Sequence, residues 1–269
     1  MPTHALYGLL CIASLALVHY WVERLMRINL EGTFPGDRGY IRGAVSRYSP
    51  SFTDSQMLHL LDSGLMCKET QRTRNYSADF PPLVASPGSF IALQYQENGH
   101  VTLPWLSPHK PTPGQVFVCG TSEPYVGDLF RSIHRVWDRE GGGGDARGRL
   151  LAQWAFDDGQ CYQRNEGTES LFRQNTYAKV PSPPQDGDLW CQIDIRLPAG
   201  LHEQYTLYWV WEWPAAPTSE YPAGQPEIYT SCMDVLIGDG GLETGNVDYT
   251  GGQDLNFAGI PKQLGTLGL

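Results

Sequence analysis

The sequence predicts an all-β protein, an antiparallel sandwich of the immunoglobulin or fibronectin-III kind with long loops and short helices. Short apolar or alternating runs recur along the chain, most of them bounded by Gly, Pro or Asp. Helical periodicity is scarce. The 30 Gly and 20 Pro follow no period, which excludes collagen and suits a loop-rich β fold. With 269 residues, 12% aromatic and 18% charged, the chain can bury a sizeable core and is not of the disordered type.

The elements follow in order. Ala5 to Val18 is a 14-residue apolar run, too short for a comfortable membrane span and suited to a secretory signal peptide. Residues 1–18 therefore read as the signal, 19–239 as the sandwich domain and 240–269 as a Gly-rich tail. The small-x-small rule fits cleavage after Ala16 better than cleavage after Val18, and a signal anchor is the alternative. Ser55 to Leu65 reads as a short helix with Leu58, Leu61 and Leu65 on one face. Tyr125 to Trp137 reads as a second, with Val126, Leu129, Phe130, Ile133 and Val136 apolar.

Six strands are expected. Ser89–Gln94 follows Pro87-Gly88, Gln115–Cys119 follows Pro113-Gly114, and Leu150–Phe156 precedes Asp157-Asp158-Gly159. Leu189–Leu197 precedes Pro198, Gln204–Trp213 precedes Pro214, and Glu227–Ile237 precedes Gly238. In the fifth, alternation puts Tyr205, Leu207, Trp209, Trp211 and Trp213 on one face, which reads as sandwich core. Gly141 to Gly144 lacks the Gly-Lys-Ser/Thr of a phosphate loop and reads as a flexible tip.

A net charge of −10 without a basic run argues against nucleic acid or an anionic membrane as partner. It is compatible with a neutral substrate or a metal cation. Secretion would leave Cys67, Cys119, Cys161, Cys191 and Cys232 in an oxidising compartment, where disulfides persist. Five is odd, so at least one thiol is unpaired or intermolecular, and no Cys-x-x-Cys points to zinc. Asn75-Tyr76-Ser77 is a glycosylation sequon in a polar stretch. Neither Gly-x-Ser-x-Gly nor His-Glu-x-x-His occurs, and the adjacent Asp157 and Asp158 would point apart on a strand.

His59, His109, His134 and His202 read as surface or hydrogen-bonded residues. His19 and His100 differ by position. Cleavage after Val18 would make His19 the mature N-terminus, whose α-amine and ring Nδ1 can chelate one ion. A further imidazole would complete a three-nitrogen, T-shaped set suited to copper rather than to the zinc tetrahedron. His100 follows Asn98-Gly99, a tight-turn signal that presents the imidazole at a loop. Glu227 and Tyr229 are two apart on a strand, so both side chains take one face.

His19-Tyr20-Trp21-Val22-Glu23, Glu97-Asn98-Gly99-His100 and Glu227-Ile228-Tyr229-Thr230-Ser231-Cys232 together resemble fungal lytic polysaccharide monooxygenases. The chain is also similar to an uncharacterised group of secreted fungal proteins that begin His-Ser-Trp-Val-Glu. Gly159-Gln160-Cys161-Tyr162 and Leu189-Trp190-Cys191-Gln192 belong to that closer likeness. The resemblance implies copper held by His19 through its amine and Nδ1 and by His100 through Nε2. Tyr229 would be axial, and Glu227 would hydrogen-bond an oxygen species or pass protons. It also implies bridges Cys67–Cys232 and Cys161–Cys191, leaving Cys119 free. The implied activity is oxidation of a C–H bond beside a glycosidic linkage, with an external electron donor. The partner would be a polysaccharide surface of cellulose, chitin or hemicellulose, met by a monomer. The alternative is a non-catalytic copper-binding or cell-surface protein on the same fold.

Overall fold

The computed structural model describes residues 21–29, 34–49, 52, 64–181, 184–219, 221–238 and 263. The signal-peptide reading, His19 and nearly all of the Ser55–Leu65 helix lie outside the described residues, as does the segment read as a tail apart from Gln263. Among the described residues eight strands are present: β1 (Arg24–Ile28), β2 (Leu83–Ala85), β3 (Phe90–Tyr95), β4 (Gln115–Thr121), β5 (Gly148–Ala155), β6 (Cys191–Arg196), β7 (Gln204–Glu212) and β8 (Ile228–Ile237). The last six stand where the Gly and Pro punctuation puts them. β1, β2 and a helix at Thr168–Thr176 are additional.

The strands form two sheets, β1-β3-β6 and β2-β8-β7-β4-β5. The fold is the expected all-β sandwich, antiparallel except that the short β2 runs parallel to β8. Alternation decides the inner faces. Leu25, Ile91, Leu93, Tyr95, Ile193 and Ile195 of the smaller sheet belong to one core with Leu207, Trp209, Trp211, Met233 and Val235 of the larger. Trp209 and Trp211 have no exposed surface, so the tryptophan-rich strand is core, as its alternation predicts.

The helix expected over Tyr125–Trp137 is only one turn, α1 (Phe130–Ile133). Asp128 takes its place in a loop, accepting hydrogen bonds from the Tyr125 backbone N–H at 3.1 Å and the Tyr208 hydroxyl at 2.7 Å. Arg135 stops the turn with a φ of 57°. The larger helix, α2 (Thr168–Thr176), is polar and held by Arg173, which reaches Asp157 at 2.6 Å and the Cys161 carbonyl at 2.9 Å.

The outer face of the larger sheet is also covered. Phe117, Cys119, Tyr208 and Val210 pack beneath Met66, Cys67, Ile133 and Trp137. The Cys67–Cys232 disulfide bonds this cover to β8 across a sequence separation of 165 residues. Nearby, Arg42 bonds both carboxylate oxygens of the buried Asp234 (2.8 and 2.5 Å) and the Gln71 carbonyl at 3.0 Å. Among the described residues the free cysteine is Cys119; burial pushes its thiol up to about 12, which keeps it unreactive. No helix among the described residues is long and apolar enough to cross a membrane.

Closing so long a loop restricts the unfolded chain strongly. The Cys67→Ala/Cys232→Ala double variant is expected to lose about 2–5 kcal/mol in urea denaturation. An unchanged midpoint would show that the cover is held by packing alone.

Candidate metal centre

The loop after β3 carries His100 on a turn that the sequence encodes. Asn98 and Gly99 both take positive φ, 45° and 84°, and the His100 N–H closes the turn on the Glu97 carbonyl at 2.9 Å. Glu97 is buried and its carboxylate gathers the loop. It accepts the backbone N–H of Val101 at 2.9 Å, of Thr102 at 3.3 Å and of Gln163 at 2.6 Å, and the Thr102 hydroxyl besides. The imidazole of His100 is thereby aimed inward, only 6% exposed.

It meets aromatic rings there. The His100 centroid lies 4.1 Å from Trp213 and 5.8 Å from Trp211, and Trp211 stacks on Tyr229 at 5.0 Å and 26°. The two indole N–H groups are satisfied by one loop: Trp211 donates to the Pro113 carbonyl at 2.8 Å and Trp213 to the Thr112 carbonyl at 3.1 Å. Gly114 makes this approach possible, since at φ 86° a Cβ there would sit 2.1 Å from the Glu212 carbonyl oxygen.

Lys110 completes the cluster. Its ammonium lies 4.1 Å from the centre of the Trp213 ring and donates to the Trp213 carbonyl and to the Glu227 carboxylate, each at 2.5 Å. The Tyr229 hydroxyl donates to the other Glu227 oxygen. Burial, assisted by the nearby Lys110 charge, lowers the His100 imidazole to about 3. Burial and the Glu227 carboxylate raise the Tyr229 phenol above its ordinary value. The site thus presents a neutral imidazole and a neutral phenol.

The sequence-expected residues are therefore placed as follows. His100, Glu227 and Tyr229 join one cluster through Trp211, Trp213 and Lys110, while His19 lies outside the described residues. Cys67 is bonded to Cys232 and Cys161 to Cys191. Trp213, which the strand's alternation places on the core face, is 4% exposed and forms a wall of the site; Trp105 is 61% exposed. Asp157, Asp158 and Cys161 also bring donor atoms within 4.8 Å, but Cys161 is bridged and Asp157 is paired with Arg173.

A sequence profile described as a domain of unknown function, DUF7492, matches residues 16–261. The chain belongs to this family. No curated protein matches this DUF7492 chain. Among solved structures it is similar to the cellulose-active LPMO CelS2 in complex with copper, at 16% identity over 74% of this chain and 72% of that one, TM-score 0.31. A cellulose-active polysaccharide monooxygenase from M. thermophila aligns at 16% identity over 82% and 78%, TM-score 0.35. The extended catalytic domain of H. jecorina LPMO9A aligns at 11% over 89% and 79%, TM-score 0.36. Likenesses this distant assign no activity to the DUF7492 chain.

Sequence reasoning missed Glu97 and Lys110 as members of the site. The Glu97-Asn98-Gly99-His100 motif contains Glu97, but its acceptor role needs Gln163, 66 positions away. Nothing local marks Lys110, whose carboxylate partner is 117 positions away.

The neutral His100 has a consequence for stability. An imidazole in the unfolded chain titrates near about 6.5, whereas in the fold this one stays neutral down to about 3. Between those values the unfolded chain binds a proton that the folded chain does not, so stability falls as pH drops through this window. The His100→Asn variant is expected to show a shallower loss between pH 6.5 and pH 4 than the parent in paired denaturation curves. Parallel curves would show that His100 is already protonated in the fold.

Proposed function

We propose that this DUF7492 chain is a secreted copper protein that oxidises C–H bonds beside glycosidic linkages in a polysaccharide, with His19 and His100 as its imidazole ligands. The observation that carries the reading is the buried His100 imidazole, held on the same aromatic stack as the Tyr229–Glu227 pair. The donor chemistry fits copper, because a metal ligand must be the neutral imidazole and no thiolate enters the set.

The entry of the chain supports His19 as the partner ligand. His19 is two residues before Trp21, a reach of no more than about 7 Å. Trp21 packs in the same core as Val101, Trp213 and Tyr229, and the Val22 N–H meets the Ser231 hydroxyl at 3.3 Å, two residues past Tyr229. A mature chain beginning at His19 would add its α-amine to the donor set.

Bound copper would supply one-electron chemistry on dioxygen or peroxide after reduction by an external donor. The chain's own residues divide the remaining work. Trp211 and Trp213 exclude water from the His100 side. Glu227 holds the Tyr229 hydroxyl proton on one oxygen and the Lys110 ammonium on the other, a path along which a proton can move. Trp105, on the 3-10 turn Pro104–Leu106 just after His100, offers an exposed ring for stacking a sugar face.

One observation favours a second reading, a copper-binding protein without oxidative turnover. Both oxygens of Glu227 are already engaged, by Lys110 and Tyr229, which leaves the carboxylate less able to serve a reacting group. Two measurements decide. N-terminal sequencing of secreted material is expected to read His19-Tyr20-Trp21, and isothermal titration to give one tight copper site that His100→Ala weakens by at least about a hundredfold. Copper-loaded, reduced protein incubated with cellulose, chitin and xylan is then expected to release oxidised oligosaccharides. A chain starting at Leu17, or no copper site, overturns the proposal; copper binding without products on any polymer selects the second reading.

A further inference from the structure

Asn75-Tyr76-Ser77 is the only Asn-x-Ser/Thr triplet in the 269 residues, and its middle residue is not proline. The fold uses its three residues in opposite ways. Tyr76 is an anchor. Its hydroxyl donates to the Asp234 carboxylate at 2.9 Å and accepts the Asp234 backbone N–H at 2.7 Å. The segment is pinned again where the Asn75 carbonyl accepts the Gly43 N–H at 2.7 Å. With Tyr76 turned onto β8, its two neighbours face water. Asn75 and Ser77 belong to an exposed run from Thr73 to Asp79 that Tyr76 alone interrupts.

Both outward side chains are uncommitted. The Asn75 amide reaches the Thr70 carbonyl at 3.5 Å, the outer limit of a hydrogen bond. The Ser77 hydroxyl has no partner among the described residues. The backbone that carries them is held, while the amide and the hydroxyl are left to solvent.

We propose that Asn75 carries an N-linked oligosaccharide, attached through its amide nitrogen to an N-acetylglucosamine. The bond that forms joins Nδ2 to C1 of that sugar. The bond that breaks joins C1 to the diphosphate of a lipid-linked oligosaccharide donor, which leaves with the bonding electrons as the amide gives up one proton. Such transfer acts on the emerging chain, so the folded protein has only to leave this amide in solvent with room for a bulky, solubilising group. The inference rests on the secretion in the proposed function and on nothing about copper.

The position suits that function. Tyr229, Met233 and Val235 of β8 face the space between the sheets, so Asp234 takes the outer face. Asp234 also lies five residues along the strand from Tyr229, about 17 Å. A glycan beside Tyr76 therefore stands on the outer face of the larger sheet, away from the end that holds His100.

Expression of the full chain in a yeast secretory host, with intact mass measured for medium and cells, is the test. The parent is expected to carry the mass of one glycan, lost on treatment with peptide-N-glycosidase, which turns the glycosylated asparagine into aspartate. Asn75→Gln and Ser77→Ala are each expected to lose that mass completely; both change exposed, uncommitted side chains and spare the fold. Unmodified parent in the medium overturns the inference and leaves the secretion reading standing. Unmodified parent confined to the cells overturns both. A glycan that survives either substitution lies elsewhere and overturns the assignment to Asn75.

Discussion

The fold and the site both depend on β7 being buried on two faces at once. One face, with Leu207, Trp209 and Trp211, fills the space between the sheets; the other, with Tyr208 and Val210, lies beneath the disulfide-tied cover. A strand in that position has no solvent side on which to place a polar residue, which is why it reads as a nearly unbroken aromatic and aliphatic run. Its rings then determine what can lie against the end of the sandwich. Trp211 stacks on Phe156 from β5's exit at 4.4 Å and on Tyr229 of β8 at 5.0 Å, while Trp213 holds His100 at 4.1 Å. The candidate centre is the last layer of the core rather than a feature added to it. A substitution that thins the core at Trp211 moves the Tyr229 ring as well, so stability and site geometry cannot be separated there.

How much was legible follows from where each signal is stored. The six longer strands were legible because Gly and Pro bracket them and alternation fills them. β1 was not, because Arg24 and Arg27 interrupt its apolar pattern; Arg24 is buried with its Nε–H on Gln94, 70 positions away. β2, three residues long, has no period to detect, and the polar α2 lacks an apolar stripe. The helix read over Tyr125–Trp137 fails for a related reason. Its apolar spacing is real, but Val126 and Val136 are exposed and Asp128 is committed to Tyr208 and Arg147, across 80 and 19 positions. In the candidate centre, His100, Glu227 and Tyr229 were legible from local motifs, whereas Glu97 and Lys110 take their roles from distant partners.

Those distant partners share a pattern that bears on the acidity of the chain. Three carboxylates, Glu97 and Asp234 buried and Asp158 half-buried, each organise a loop by accepting several hydrogen bonds. Glu97 gathers the His100 turn and Gln163. Asp234 takes Arg42, Tyr76, Gln204 and Thr206, and although burial pulls its carboxyl upward, Arg42 holds it below the ordinary range. Asp158 accepts the backbone N–H of Gln160, Cys161 and Gln192 at 2.8–2.9 Å beside the Cys161–Cys191 bridge, and burial still leaves it raised to about 6. Long loops contain too few apolar residues to fix themselves by burial, and an acceptor-only group with several lone pairs can fix many donors at one point. A net charge of −10 suggests a uniformly acidic surface, yet part of the acid is inside, anchoring loops.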